Sequence, residues 1–153
     1  MLRLALYQPD IPQNAGAMLR ACACLGVTAA IVEPAGFPVT DRHFRRAGMV
    51  YLDHVAIERH VSFAAFEDWR RGAGARLVLL TTSGETAHHA FDFRDDDVIM
   101  VGRESAGAPV DVHAAADARL RIPIRPGMRS LNVAQAAAMA LDSALTRLGG
   151  FPP

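Results

Sequence analysis

The segments Arg76-Leu77-Val78-Leu79-Leu80-Thr81-Thr82 and Asp97-Val98-Ile99-Met100-Val101-Gly102 decide the fold. Each carries four consecutive apolar residues between polar or turn-forming ends, with no alternation. A strand with one wet face alternates, whereas a strand covered on both faces does not, and the second pattern belongs to a parallel sheet. Toward the N-terminus, residues 2–7 read as another strand, with Arg3 as its exception, and Pro9 and Pro12 stiffen the turn after it. Asn14 is expected to cap a helix over residues 15–25 that Gly26 ends. Residues 27–32 form a second strand stopped by Glu33-Pro34, and residues 41–47 a short Arg-rich helix. Ser62 predicts the start of a further helix, ended by Gly72. Phe63, Phe66 and Trp69 fall on one stripe of it, a spacing that favours core packing over base stacking.

Toward the C-terminus the pattern changes. Over residues 118–125, Ala118, Leu120, Ile122 and Ile124 alternate with Arg119, Arg121, Pro123 and Arg125, the period of a strand with two unlike faces. Pro123 has no N–H for a ladder and belongs near the strand's end. Residues 131–148 form the longest helix. Asn132, Gln135, Met139, Asp142 and Thr146 share one mostly polar stripe, and the remaining girth is apolar enough to need a second cover besides the sheet, such as a partner subunit. The order β-α-β-α-(short strand)-α-β-β-β-α predicts a three-layer α/β fold with a mainly parallel sheet, in one domain over residues 1–153.

Composition narrows the functional classes. The chain has 153 residues, 51% hydrophobic and 21% charged, which excludes a disordered chain. No apolar run approaches the roughly 18 residues that span a bilayer, and the first residues lead into a strand rather than a signal peptide. Cys22 and Cys24, two apart on a helix, point away from each other and read as reduced thiols of a cytoplasmic protein. All 16 basic residues are Arg, balanced by 16 acids, but unevenly: residues 77–118 hold two Arg against eight acids, and residues 119–153 hold five against one. A basic C-terminal stretch can meet a polyanion, while overall neutrality argues against strong nonspecific binding.

In open α/β sheets ligands sit beyond the carboxyl ends of the strands. Three late strand ends carry loops rich in small residues, at 80–84, 102–109 and 122–132, where backbone can approach a ligand closely. Glu104 places a carboxylate in the second. Ser130 reads as the N-cap of the last helix, which is by itself a sufficient role for it. No G-x-G-x-x-G follows the first strand, no Lys exists for a phosphate loop, and no G-x-S-x-G elbow is present. The adjacent His88-His89 diverge in regular structure, and Asp95-Asp96-Asp97 reads as a solvated turn, so no metal site is expected.

The three loops, together with Tyr7-Gln8-Pro9-Asp10-Ile11-Pro12-Gln13-Asn14, Gly16 and Arg20, carry a resemblance. So do Glu33-Pro34, Gly36-Phe37, Arg45-Arg46-Ala47-Gly48, Gly102 with Glu104, Gly107, Pro109, and Arg129-Ser130-Leu131-Asn132. The ordered set, covering nearly the whole chain, resembles the SPOUT-superfamily RNA methyltransferases, and within them the small bacterial tRNA 2′-O-methyltransferases of the wobble cytidine or uridine. The resemblance implies a C-terminal trefoil knot, a homodimer in which both subunits shape each site, and S-adenosylmethionine as methyl donor, leaving S-adenosylhomocysteine, without metal. It implies a cofactor pocket of Leu80, Thr81, Gly102, Glu104, Ile122, Ile124, Ser130, Leu131 and Ala136. It marks Arg20 as the catalytic-site arginine, with Asn14, Ser130 and Asn132 as polar residues near it. Arg45, Arg46, Arg121, Arg125 and Arg129 are candidates for contact with the phosphates of a tRNA anticodon stem-loop. Two departures stand out. Ser105-Ala106 replaces the family's frequent Thr-Arg, removing one guanidinium for which Arg103 is the available substitute, and Gln135 precedes Ala136 where Asn is usual. A noncatalytic RNA- or nucleotide-binding module on the same scaffold is the alternative reading.

Overall fold

The computed structural model describes residues 1–46 and 50–153. In chain order its elements are β1 (Arg3–Tyr7), α1 (Pro12–Leu25), β2 (Thr28–Val32), α2 (Asp41–Arg46), β3 (Ile57–His60), α3 (Phe63–Ala73), β4 (Leu77–Leu80), β5 (Thr86–Ala87), β6 (Val98–Val101), α4 (Val110–Ala115), β7 (Ala118–Arg121) and α5 (Val133–Leu148), with 3-10 turns at Val50–His54 and His88–Ala90. The strands form one sheet in the order β3-β2-β1-β6-β4-β7-β5, and every pairing is parallel. The two apolar runs are inner strands: β6 lies between β1 and β4, and β4 between β6 and β7. Their side chains are buried except for Leu80 at the cavity end of β4, which is half-buried. The α/β fold expected from those runs is the fold observed.

Both faces of the sheet are covered. On one, Leu4, Leu6, Ile31 and Ile99 pack with Met18 and Leu19 of α1 and Leu141 and Leu145 of α5. On the other, Tyr7, Ala30, Leu79 and Met100 pack with Phe66 of α3 and Val112 of α4. Phe63 and Trp69 join this second core, Phe63 edge-on to Tyr7 at 5.9 Å between ring centres and Trp69 beside Phe66 at 5.8 Å. Core packing is therefore the role of that aromatic stripe.

At the N-terminal edge of the strands, charge is buried in matched sets. Arg76 at the entry to β4 grips Asp97 at the entry to β6 through two bonds of 2.7 Å, with Asp97 fully buried. Arg70 of α3 binds Glu67, donates to the Ala75 carbonyl at 2.9 Å and reaches Asp117 at 3.0 Å. Asp117 in turn accepts from the Leu77 N–H at 2.7 Å. The elements entering β4, β6 and β7 are thus fastened to one another by charge-assisted bonds.

Element ends depart from the sequence reading in four places. α1 begins at Pro12, with Ile11 as a cap that offers no side-chain bond, so Asn14 lies inside the first turn rather than at the cap. Pro needs no partner for an N–H at the first helical position, and its fixed φ starts the helix three residues early. α3 runs through Gly72 and ends at Gly74, whose φ of 67° supplies the left-handed turn. α5 is capped by Asn132, not Ser130: its Oδ1 accepts from Ala134 N at 2.9 Å. The strand expected over 118–125 stops at Arg121, before Pro123. α4 and the two-residue β5 were not expected. α2 ends at Arg46, and Ala47 and Gly48 lie outside the described residues. Cys22 is buried and Cys24 exposed, both free; burial pushes the Cys22 thiol up to about 12.

Candidate active site

The carboxyl ends of β6, β4 and β7, adjacent in the sheet, open into a cavity of 530 Å³, a volume suited to a nucleoside-sized ligand. β4 contributes Leu80, Thr81 and Thr82. The loop after β6 contributes Gly102, Arg103, Glu104 and the small residues Ala106, Gly107 and Ala108. The segment after β7 contributes Ile122, Ile124, Ser130 and Leu131, and α5 closes the cavity with Asn132, Val133 and Ala136. All nine residues of the expected cofactor pocket line this one space.

Glycine makes the close approaches that shape it. A Cβ on Gly102 would lie 2.6 Å from the backbone of Gly107 and Ala108, so the second loop folds tightly back on itself only with hydrogen at that position. Arg103 and Gly107 close the fold-back with reciprocal backbone bonds of 3.2 and 2.7 Å. A Cβ on Gly84 would lie 2.3 Å from the Leu120 carbonyl carbon, which presses the first loop onto β7.

Polar groups of three elements converge at the mouth. Asn132 Nδ2 donates to Asn14 Oδ1 at 3.0 Å, joining the first turn of α1 to the start of α5. Both line the cavity, as does Ser130. Glu104 is half-buried; its Oε2 accepts from Asp10 N at 3.2 Å, while Oε1 is buried and has no protein partner. Burial, and then the neighbouring Asp10, hold its carboxyl above the usual carboxylate range, and Asp10 is correspondingly lowered by its bonds to Glu104 and Ser105. The Arg103 guanidinium carbon lies 5.7 Å from the Tyr7 ring, and its Nε is also buried without a partner.

The arginines separate into groups. Arg20 is on α1 but does not line the cavity; it is exposed and sits 5.8 Å from the Tyr51 ring. Arg121 donates to the carbonyls of Gly84 and Glu85, the second at 2.7 Å, and so fastens β7 to the first loop. Arg45 pairs with Asp53 at 2.6 Å, and Arg46 borders a shallow depression with Arg42 and His43. Arg125 and Arg129 are exposed on the segment that rims the cavity. The Asp10–Glu104 contact was not anticipated, since 94 residues separate the two and neither marks the other in sequence. Among the described residues no group of His, Cys, Asp and Glu could hold a metal ion, and no helix is long and apolar enough to cross a membrane.

Residues 1–142 match the family model described as the SpoU rRNA Methylase family. The chain belongs to the SpoU methylase family. Within it, the chain is 67% identical over 148 residues to a tRNA (cytidine(34)-2′-O)-methyltransferase of Beijerinckia indica, covering 97% of this chain and 92% of the relative. A solved structure from work on 2-OH methylation of C/U34 on tRNA is 40% identical, with a TM-score of 0.89 over 98% of this chain and 97% of the other. The SpoU methyltransferase AviRb of Streptomyces viridochromogenes, solved in complex with AdoMet, is 28% identical, with a TM-score of 0.84 over 97% of this chain and 61% of the other.

Proposed function

We propose that this SpoU-family chain transfers a methyl group from S-adenosylmethionine to the ribose 2′-oxygen of nucleotide 34, the wobble cytidine or uridine, of tRNA. The observation that carries the reading is the convergence of three strand-end loops on one nucleoside-sized cavity in a chain whose relatives bear that activity in their names. The residues fit the donor: Glu104, with one buried and unpartnered oxygen, lines a space walled by small, aliphatic and uncharged polar groups, by Arg103 and by backbone held close at Gly102. S-adenosylmethionine supplies a methyl already activated on a sulfonium, so the chain's task is alignment and removal of one proton.

In this reading Leu80, Ile122, Ile124, Leu131 and Ala136 exclude water around the donor, and Asn14, Ser130 and Asn132 hold the acceptor ribose in line with it. Arg20 is a poor base, because a guanidinium keeps its proton at neutral pH. Its role is to hold the phosphate beside the 2′-hydroxyl and to lower that hydroxyl's pKa electrostatically. Arg20 lies off the cavity of its own chain, which fits a homodimer in which one copy's Arg20 serves its partner's cavity. Arg125 and Arg129 on the rim, with Arg45 and Arg46 on α2, supply phosphate contacts, and an unstacked anticodon-loop base supplies selection. The trefoil crossing of the late loops and a cytoplasmic location belong to the same proposal.

Mapping 2′-O-methylated nucleotides in tRNA from a deletion strain against wild type tests it: methylation lost at nucleotide 34 supports the reading, and an unchanged map ends it. Arg20→Ala is expected to abolish turnover and leave S-adenosylmethionine affinity within about twofold, by calorimetry, since an electrostatic contact of this kind is worth roughly 3 kcal/mol or more in the transition state. Full activity of that variant removes Arg20 from the mechanism.

A further inference from the structure

Asp10 lies in the turn between β1 and α1, outside the cavity, yet its carboxylate is committed to the cavity wall. Its Oδ1 accepts from Glu104 N at 3.2 Å, and its own N–H donates to Glu104 Oε2 at 3.2 Å. Its Oδ2 accepts from the Ser105 hydroxyl. The turn that presents it is held on its other side. Gly36 N donates to Pro9 O at 2.9 Å, and a Cβ on Gly36 would lie 3.0 Å from Asp10 Cα. Gln8, two residues earlier, has a φ of 42°, a left-handed conformation rare for a side-chain-bearing residue. Backbone strained at Gln8 and packed on Gly36 marks a turn whose geometry is over-determined by its neighbours.

These bonds leave Glu104 with one defined orientation. Oε2 is occupied by Asp10, and Oε1, buried and without a protein partner, is an unused acceptor on a residue that lines the cavity. A carboxylate on an unrestrained loop would lose rotamer entropy on binding; one held by a second carboxylate's backbone and side chain has lost it in advance. Ser105 adds a third bond to the same clasp. We propose that Asp10 is a positioning residue for the methyl donor, acting through Glu104: it holds the loop after β6 against the β1–α1 turn and aims the free Glu104 oxygen into the cavity. The proposal rests on the methyltransferase reading above.

The test is a double-mutant cycle on the whole chain, read as calorimetric affinity for S-adenosylhomocysteine, with Asp10→Ala, Glu104→Ala and the double variant. Each single change is expected to weaken binding by about tenfold, the worth of one charge-assisted hydrogen bond. Asp10→Ala is expected to cost clearly less in the Glu104→Ala background than in wild type, because the part of its effect that passes through the Glu104 carboxylate is gone. An Asp10→Ala loss of equal size in both backgrounds identifies a merely structural role and overturns the proposal, as does an Asp10→Ala chain that binds like wild type. Melting curves verify that the variants are folded; where Asp10→Ala is not, Asp10→Ser, with one shorter-reaching oxygen in place of the two that bind Glu104 N and Ser105, takes its place in the cycle with the same expected outcomes. A wild-type chain that binds no S-adenosylhomocysteine overturns the methyltransferase reading itself, a result distinct from additive losses in a chain that does bind.

Discussion

The two edges of the sheet treat buried polar groups in opposite ways. At the N-terminal edge, Asp97 answers Arg76, and Glu67 with Asp117 answers Arg70. At the C-terminal edge, three buried side-chain atoms of the described residues have no partner, and all three are there: His60 Nε2 at the end of β3, and Arg103 Nε and Glu104 Oε1 just after β6. A buried polar atom without a partner costs on the order of 1–3 kcal/mol. Two of the three, on Arg103 and Glu104, belong to residues that line the cavity; His60, three strands away from β6 in the sheet, does not. The proposed site thus coincides with two of the three unpartnered buried atoms.

The contrast breaks most visibly at Asp97. Asp97→Ala leaves Arg76 with an uncompensated charge, 19% exposed at its side chain, and a loss of roughly 3–5 kcal/mol is expected. Chemical denaturation reads it, while S-adenosylhomocysteine affinity of the remaining folded protein is expected to stay within about twofold. A variant that keeps its stability refutes the assignment of that edge to stability. Gly102→Ala is the converse test. Its Cβ would lie 2.6 Å from backbone atoms of the loop that walls the cavity. Calorimetry is expected to show at least about tenfold weaker binding, with a stability loss of roughly 1–3 kcal/mol from overpacking. Undiminished affinity would show that the fold-back does not shape the pocket.

The smallest effect is expected at His60. Burial lowers its pKa, with Glu58 opposing and Arg3 adding to the shift. The unfolded chain then binds more protons than the folded one just below the free-histidine value of about 6.5. His60 therefore favours the fold above that pH and loses this contribution as pH falls toward its lowered folded value. His60→Phe is expected to flatten, without abolishing, the fall in melting midpoint between about pH 7 and pH 5. His88, lowered by burial and by His89, carries part of the same slope. A variant with the wild-type slope shows that His60 does not titrate against folding.

The legible parts of the sequence were those with one dominant physical cause. β4 and β6 declare themselves because cover on both faces leaves no room for a polar residue. The pocket was legible because small residues gathered at three strand ends have few other reasons to be there. The N-caps were harder. Ser130 and Asn132 are both good capping residues two positions apart, and only the path of the preceding segment decides that Asn132 faces the exposed N–H groups of Ala134 and Gln135. Asn14 lost the cap to Ile11, because Pro12 starts the helix. Arg121, alternating like Arg125, was equally eligible for phosphate, but the neighbouring Gly84–Glu85 carbonyls claim it. The Asp10 clasp lay beyond reach because a contact between two distant loops leaves no local period.

β1 is an inner strand of the sheet, paired on one side with β2 and on the other with β6, whose partner residues begin at Val98. The earliest strand in the chain thus waits for almost a hundred further residues before its second edge is closed. Loop-closure entropy for so distant a pairing is met before the contacts repay it, so folding of this chain is expected to be slow for its size and, during synthesis, to leave one apolar strand edge open until late.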